Sequence, residues 1–193
     1  RFRNVTGVQT CALPISKEFP GENLKKMGEL GLMGMMIPPE YEGEGANTVS
    51  YVLALSEIAY ACASTAVVMS VHNSIVCESI HRYGSHEQKE KYLFPLTSVE
   101  AIGAFALTEP HAGSDPVAQT TTAVRDGDSY VLNGNKCFIT SGSNAGIIIV
   151  TAKTDEITPH KGISAFIIPQ GTPGLKVGHI ENKMGLRASD TTD

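Results

Sequence analysis

The hydrophobic pattern changes its period near residue 97, and this change restricts the chain to a fold with two different halves. Upstream, apolar residues recur at helical spacing, as Leu24, Met27 and Leu30 do. Downstream, short β-prone runs alternate with turns that contain glycine and proline. Helices followed by strands are typical of the α+β class and argue against a doubly wound α/β sheet. We therefore predict an all-α domain at residues 17–100, followed by a small antiparallel β-barrel or sandwich at residues 101–193.

Start and stop signals bound the helices of the first half. Ser85 and Gln88 fit a capping box, in which each residue bonds the other's backbone N–H. Gly31 is a suitable stop, because glycine accepts the left-handed backbone that ends many helices. The first predicted helix ends at Gly31, and the second runs from Asn47 or Thr48 to about Ala61, with Val49, Val52, Leu53 and Ser56 on one face. The third runs from Ser64 or Thr65 to about Tyr83, and the fourth runs from Ser85 to Pro95.

Strands of the second half are bounded by turn residues. Asp126-Gly127 and Asn133-Gly134 are hairpin-turn signals, because both residues of such a turn adopt positive φ. The β-prone runs are Ile102–Leu107, Ala118–Val124, Ser129–Leu132, Phe138–Thr140, Gly146–Ala152, Ile163–Pro169 and Lys176–Ile180.

Charge and cysteine usage exclude several classes of function. With 15 Lys and Arg against 20 Asp and Glu, the net charge is −5 and no basic cluster marks a nucleic-acid partner. No apolar run reaches the roughly 18 residues of a membrane helix. The four cysteines form no C-x-x-C pair, so neither metal-ligand spacing nor a disulfide framework is expected. We expect free thiols.

The loop Thr108–Asp115 carries the best chemical signal. Pro110 stops ladder pairing, Gly113 permits close backbone approach, and Thr108 and Ser114 offer hydroxyls to a phosphate or a heterocycle edge. Successive N–H groups in such a loop can form an anion nest. An ordinary polar turn explains the same residues, so the residues alone leave both interpretations open.

Two later segments are weaker candidates. In Lys136–Gly142, strand alternation places Phe138 and Thr140 on one face, where they could contact a flat cofactor; a core Phe and a β-favouring Thr are the alternative. The segment Lys183–Thr192 is too polar for a core strand. A solvated loop, a salt-bridge cluster around Arg187 and a cofactor contact remain open for it.

Taken in order, these segments resemble the acyl-CoA dehydrogenase family. The chain reads TEPHAGSD at 108–115, NGNKCFIT at 133–140 and KMGLRASD at 183–190. Phe138 and the run Gly162–Ile168 look closest to the short-chain, butyryl-type enzymes. The resemblance covers about residues 17–193, and the upstream segments that share it are Leu30–Gly34, Pro39–Gly43 and Gly84–Leu93.

The resemblance implies a helical N-terminal domain, a β-barrel middle domain and a C-terminal helical bundle, assembled as a homotetramer around FAD. The family reaction is α,β-dehydrogenation of an acyl-CoA thioester to the trans-2-enoyl-CoA. A carboxylate takes the α-proton, flavin N5 accepts the β-hydride, and an electron-transferring flavoprotein takes the electrons. The implied compartment is the bacterial cytoplasm, or the mitochondrial matrix in a eukaryote.

The resemblance also implies roles for individual residues. Thr108 would bond the pyrimidine side of the flavin, Phe138 would pack against its ring and Thr140 would bond near N5. Gly113 and Ser114 would approach the diphosphate and CoA, with Ser114 the best contact to substrate. Ile75 and Val76 suit the acyl-pocket wall, and His111 is interpreted as an exposed loop residue without a role. The implied cofactor-binding residues are Phe105, Leu107, Thr108, Gly113, Ser114, Phe138, Ile139 and Thr140.

Both ends of the sequence depart from the family pattern. Residues 1–16 look like foreign sequence joined to the coding frame, with a transit peptide as the alternative. The family's catalytic Glu lies in the C-terminal bundle, which this sequence does not reach, so we expect an inactive fragment truncated at the end of the barrel. The alternatives are a non-catalytic module that binds FAD or acyl-CoA, a related acyl-CoA oxidase, and an apo fragment that binds neither.

Overall fold

A computed structural model describes residues 16–155 and 162–193, and most of the segment expected to be foreign lies outside these ranges. Helix α1, Gly21–Glu29, buries Leu24 and Met27 as predicted. Leu30 is 73% exposed, contrary to the prediction, because the helix has ended and Leu30 is already its C-cap. Gly31 follows with φ 72°, the left-handed backbone expected of a stop residue.

Helix α2, Thr48–Ala61, begins as predicted at the Asn47 cap, whose side chain accepts a bond from Ser50 N–H at 2.9 Å. The predicted third helix is divided into α3, Ala63–Ser70, a π-helical segment, Val71–Cys77, and α4, Glu78–Tyr83.

Helix α5, His86–Thr97, confirms the capping box, since both reciprocal bonds between Ser85 and Gln88 are present. The predicted end at Pro95 is wrong. Proline removes only one backbone donor, and the Thr97 hydroxyl bonds the Leu93 and Phe94 carbonyls at 3.1 and 3.2 Å, so the last turn persists.

The strands are β1 (Ile102–Ala106), β2 (Thr122–Asp126), β3 (Ser129–Asn133), β4 (Ile139–Thr140), β5 (Ala145–Lys153), β6 (Ile163–Pro169) and β7 (Thr191–Thr192). Strand β5 is the centre of a five-stranded sheet. It pairs in parallel with β1 and, at a single position, with β2; on its other edge it pairs antiparallel with β6. Strands β2 and β3 form the hairpin predicted at Asp126-Gly127. Strands β4 and β7 form a separate antiparallel pair.

Four strand predictions differ from the structure because they ignored neighbouring segments. The sheet is mixed rather than antiparallel throughout, since β1 pairs in parallel with β5. Asn133-Gly134 makes no hairpin; Gly134 instead lies so close to Thr121 that a Cβ there would be 2.6 Å from the threonine Cβ. Lys176–Ile180 forms no strand and is exposed, with a single bridge from Ile180 to Thr192. Ala118–Val124 becomes strand only at Thr122.

The helical and β halves share a hydrophobic core cluster. Val76 is fully buried beside Ile147 and Ile149 of β5, and a Cβ on Gly103 of β1 would lie 2.6 Å from Val76 Cγ1. Val76 is therefore a core residue, whereas its neighbour Ile75 is 39% exposed. The α+β prediction, helices first and strands after, is confirmed. Among the described residues, no helix has both the length and the apolar character needed to cross a membrane.

Candidate functional site

The candidate loop after β1 closes on itself through two backbone bonds. Glu109 N–H donates to the Ala112 carbonyl and Ala112 N–H donates to the Glu109 carbonyl, each at 3.0 Å. Ala112 is buried, while Pro110 and His111 project into solvent. Beyond the turn, Gly113 and Ser114 are exposed. The loop therefore presents its Gly-Ser portion outward and anchors its Glu inward.

Glu109 is a buried carboxylate whose oxygens are fully engaged. It is 4% exposed and accepts bonds from the Thr120 hydroxyl at 2.8 Å, from Thr121 N–H at 3.0 Å and from Lys136 Nζ at 2.8 Å. Burial alone would raise its pKa. The bonds from Lys136, Thr121 and Thr120 outweigh burial and lower the pKa to about 2.

The Lys136 ammonium joins this loop to the second candidate segment. Its Nζ donates to the Leu107 carbonyl at 2.9 Å and to Gln119 Oε1 at 3.0 Å, besides its bond to Glu109. The next N–H along the chain, that of Cys137, donates to the Thr108 carbonyl at 2.8 Å. Two consecutive residues of one segment thus hold two consecutive carbonyls of the other.

Phe138 has a backbone that the sequence did not predict. Its φ is 59°, in the left-handed region that a bulky side chain rarely adopts, and its ring is 62% exposed. Phe138 does not alternate with Thr140 along a strand, because strand β4 contains only Ile139 and Thr140. Ile139 is 5% exposed and packs with Ala104 and Ala106 of β1.

The segment 183–190 packs against the turn that follows β4. Asp190 accepts bonds from Ser143 N–H at 3.0 Å and from the Ser143 hydroxyl at 2.8 Å. Lys183 Nζ donates to the Thr191 hydroxyl at 2.8 Å and also bonds the Ser189 carbonyl, and burial lowers the lysine pKa. Arg187 forms no salt bridge within the described ranges, so the contacts come from Lys183 and Asp190 rather than from an Arg187 cluster.

The structure places the predicted site residues in different surroundings. Phe105 packs toward the core shared with the helical half, and Leu107 is half-buried. Thr108 and Thr140 are half-buried and Ser114 is exposed, and their hydroxyls bond no other group in the portion of the chain that is described. These hydroxyls are available to a ligand. The same described portion contains no cluster of His, Cys, Asp or Glu side chains arranged to hold a metal.

Sequence reasoning missed the Glu109–Lys136 pair. Glu109 and Lys136 lie in segments next to the predicted strands Ile102–Leu107 and Phe138–Thr140, and buried charges in proteins are nearly always paired. An acid and a base in two such segments were therefore a signal that they meet. Their separation along the chain concealed it.

Sequence profiles of two families cover nearly the whole chain. The profile described as "Acyl-CoA dehydrogenase, N-terminal domain" matches residues 11–100, and the one described as "Acyl-CoA dehydrogenase, middle domain" matches residues 104–193. The first match includes the last residues of the segment expected to be foreign.

Individual relatives agree with the profiles. The short-chain specific acyl-CoA dehydrogenase of Clostridium acetobutylicum is 48% identical over 178 residues, which are 92% of this chain and 47% of that protein. The butyryl-CoA dehydrogenase structure from Megasphaera elsdenii superposes with a TM-score of 0.91 at 38% identity, covering 97% of this chain and 50% of that one. A glutaryl-CoA dehydrogenase from Mycobacterium smegmatis in complex with FADH2 gives 0.85 at 41% identity, covering 98% and 46%.

The chain spans about half the length of the curated relatives it matches. Within that half, the match includes both the helical and the β domains as well as all three candidate segments. The chain therefore belongs to the acyl-CoA dehydrogenase family.

Proposed function

We propose that this chain provides the helical and β domains of an FAD-dependent dehydrogenase that converts a short-chain acyl-CoA thioester to its trans-2-enoyl-CoA. Family membership and the 48% identity to a short-chain specific relative support the reaction and the substrate class. The proposed route for the electrons is an electron-transferring flavoprotein, and the proposed assembly is a homotetramer. A bacterial cytoplasmic location, or the mitochondrial matrix in a eukaryote, suits these partners.

One observation supports a flavin site more than any other. The exposed Phe138 ring follows directly after the Cys137 N–H that bonds Thr108, so an apolar ring and the Thr108 hydroxyl belong to neighbouring backbone segments. Among residues 16–155 and 162–193, neither this hydroxyl nor that of Thr140, two residues after Phe138, has a hydrogen-bond partner. Gly113 has open space where a Cβ would be. This set of one aromatic ring, hydroxyl donors and an open glycine suits a flat heterocycle that carries phosphates.

We propose for these residues the roles that the family resemblance implies. Thr108 bonds the pyrimidine edge, Phe138 packs against the ring and Thr140 donates near N5. The backbone N–H of Gly113 and the hydroxyl of Ser114 bond the diphosphate and the CoA portion, so Ser114 also contacts the substrate. When bound, FAD supplies the hydride acceptor of the reaction.

Phe105, Leu107 and Ile139 have a different part in the same proposal. Their side chains are partly or fully buried, so we assign them the support of the site, with their backbone groups rather than their side chains facing the cofactor.

Glu109 does not serve as the base that removes the α-proton. Its oxygens accept bonds from Thr120, Thr121 and Lys136, and its pKa of about 2 leaves it a very weak base at neutral pH. We propose, from the family resemblance, that the base is the glutamate of the family's C-terminal helical bundle.

Flavin retention tests the proposal directly. The purified chain is mixed with FAD, free flavin is removed, and the visible absorbance spectrum is recorded. We expect a retained and perturbed flavin band, weakened in Thr108→Ala and Thr140→Ala. Thr172→Ala is the matched control, since its hydroxyl already bonds the Pro169 carbonyl.

A colourless wild-type chain would contradict the proposed flavin site while leaving family membership unchanged. An equal loss of flavin from the control variant would contradict the assigned threonine roles. In a form of the protein that includes the proposed base, enoyl product formed with a dye acceptor but not with oxygen distinguishes the dehydrogenase from the related oxidase.

A further inference from the structure

The Lys136 ammonium is buried and fully committed to protein acceptors. The side chain is 9% exposed. Its acceptors at 3.0 Å or less are Leu107 O, Glu109 Oε1 and Gln119 Oε1, which lie just before, within and after the candidate loop, respectively. A lysine is rarely buried unless such partners compensate its charge. Because an ammonium has three protons, these acceptors use its full donor capacity and fix its position.

Glu109 also connects the Lys136 ammonium to strand β2, on the far side of the loop. Its second set of bonds goes to Thr120 and Thr121, immediately before β2. The carboxylate therefore links the loop, the Lys136 segment and the entrance to β2. Bulk water cannot solvate these charges in place of their protein partners, since Glu109 is 4% exposed.

The pair fixes the backbone on which the candidate flavin contacts stand. Lys136 Nζ holds the Leu107 carbonyl at 2.9 Å, and Cys137 N–H holds the Thr108 carbonyl at 2.8 Å. A slip of one residue between these segments would move Thr108 relative to Phe138 by about 3.3 Å. The next residue, Phe138, has a φ of 59°, a conformation that persists in a bulky residue only when its surroundings enforce it.

We propose that Glu109 and Lys136 are positioning residues, which act through the Leu107 and Thr108 carbonyls to set the Thr108 hydroxyl and the Phe138 ring at one fixed separation for the flavin. The identity of the ligand rests on the proposed function; the fixed separation of the two segments does not. Neither residue touches the flavin, and neither takes part in proton or hydride transfer.

The first measurement needs no flavin. Hydrogen exchange followed by mass spectrometry compares wild type, Lys136→Met and the double variant Lys136→Met/Glu109→Gln. The double variant removes both charges, so it avoids the uncompensated buried carboxylate that could prevent the single variant from folding. Glu78→Gln is the control, because it breaks a more exposed ion pair, with Arg82, elsewhere in the chain.

We expect exchange in residues 105–115 and 136–140 to accelerate by about tenfold or more in both Lys136 variants and to be unchanged in the control. Wild-type protection of those residues in the double variant would overturn the proposal.

The second measurement uses FAD and separates positioning from stability. At saturating FAD, we expect the spectrum of flavin bound to the double variant to approach that of free flavin, even where its thermal midpoint matches wild type. Equal midpoints with a wild-type spectrum would show that the pair only stabilises the fold, and would overturn the proposal. A wild-type chain that binds no FAD would contradict the proposed function, and hydrogen exchange would still decide whether the pair fixes the two segments.

Discussion

His72 links the two halves of the fold as a neutral imidazole, and this makes the folded chain sensitive to mild acid. The side chain is fully buried in the π-helical segment. Gly103 N–H donates to its Nδ1 at 3.0 Å, so Nδ1 carries the lone pair and Nε2 carries the proton that is donated to the Leu96 carbonyl, also at 3.0 Å. A second proton on Nδ1 would face the Gly103 N–H.

The magnitude follows from the pKa difference between the folded and unfolded states. Burial lowers the pKa of His72 from 6.5 to about 4, and the bond to the Leu96 carbonyl opposes this only in part. The unfolded chain therefore takes up a proton that the folded chain refuses. The stabilisation is complete above pH 6.5 and is lost as the pH falls toward 4; at 1.36 kcal/mol per pKa unit it amounts to about 3 kcal/mol, of which about 2 is lost between pH 7.5 and 5.

Urea unfolding followed by circular dichroism between pH 7.5 and 5 measures this loss. His72→Gln has no titratable group but keeps a donor and an acceptor, so we expect it to be less stable than wild type at neutral pH and nearly independent of pH in this range. His111→Gln, at an exposed position, is the control and retains the wild-type slope. A His72→Gln variant that loses stability with the wild-type slope would refute the reasoning.

Three further predictions concern the other structural features. The low pKa of Glu109 predicts a second loss of stability in acid. The contribution of Glu109 to the free energy of unfolding is present above pH 4.5 and is lost as the pH falls toward 2, by up to about 3 kcal/mol. Urea midpoints of Glu109→Gln should therefore change less than those of wild type between pH 5 and 3. Gly103→Ala should lower the free energy of unfolding by about 1–3 kcal/mol, because the new Cβ would lie 2.6 Å from Val76 Cγ1. Gly113→Ala, with open space around it, is the control, and equal urea midpoints for the two variants would contradict the packing argument. Ser85→Ala should cost about 1 kcal/mol of unfolding free energy by thermal melts, since it removes the capping bond to the N–H three residues on, and an unchanged melt would show that the cap contributes nothing.

Local signals in the sequence predicted the features that depend on adjacent residues. Three predicted features depend only on residues that are close in sequence, and each is present in the structure: the Asn47 cap, the Ser85 capping box and the Asp126-Gly127 turn. The change from helical to strand period likewise survives as the order of the two halves. These interactions form between residues only a few positions apart, so they do not depend on the tertiary structure.

The tertiary structure decided what depends on distant partners. Lys176–Ile180 has strand-forming residues but makes only the bridge from Ile180 to Thr192, because the strand beside it, β7, is two residues long. Phe138 has a left-handed backbone where alternation predicted a strand. Glu109 and Lys136 are 27 residues apart in sequence and meet at 2.8 Å. Each of these charges needs the other because both are buried, and only the packing of the loop against the sheet brings them together. The sequence therefore predicted the residues of the candidate site but not the ion pair that we propose positions them.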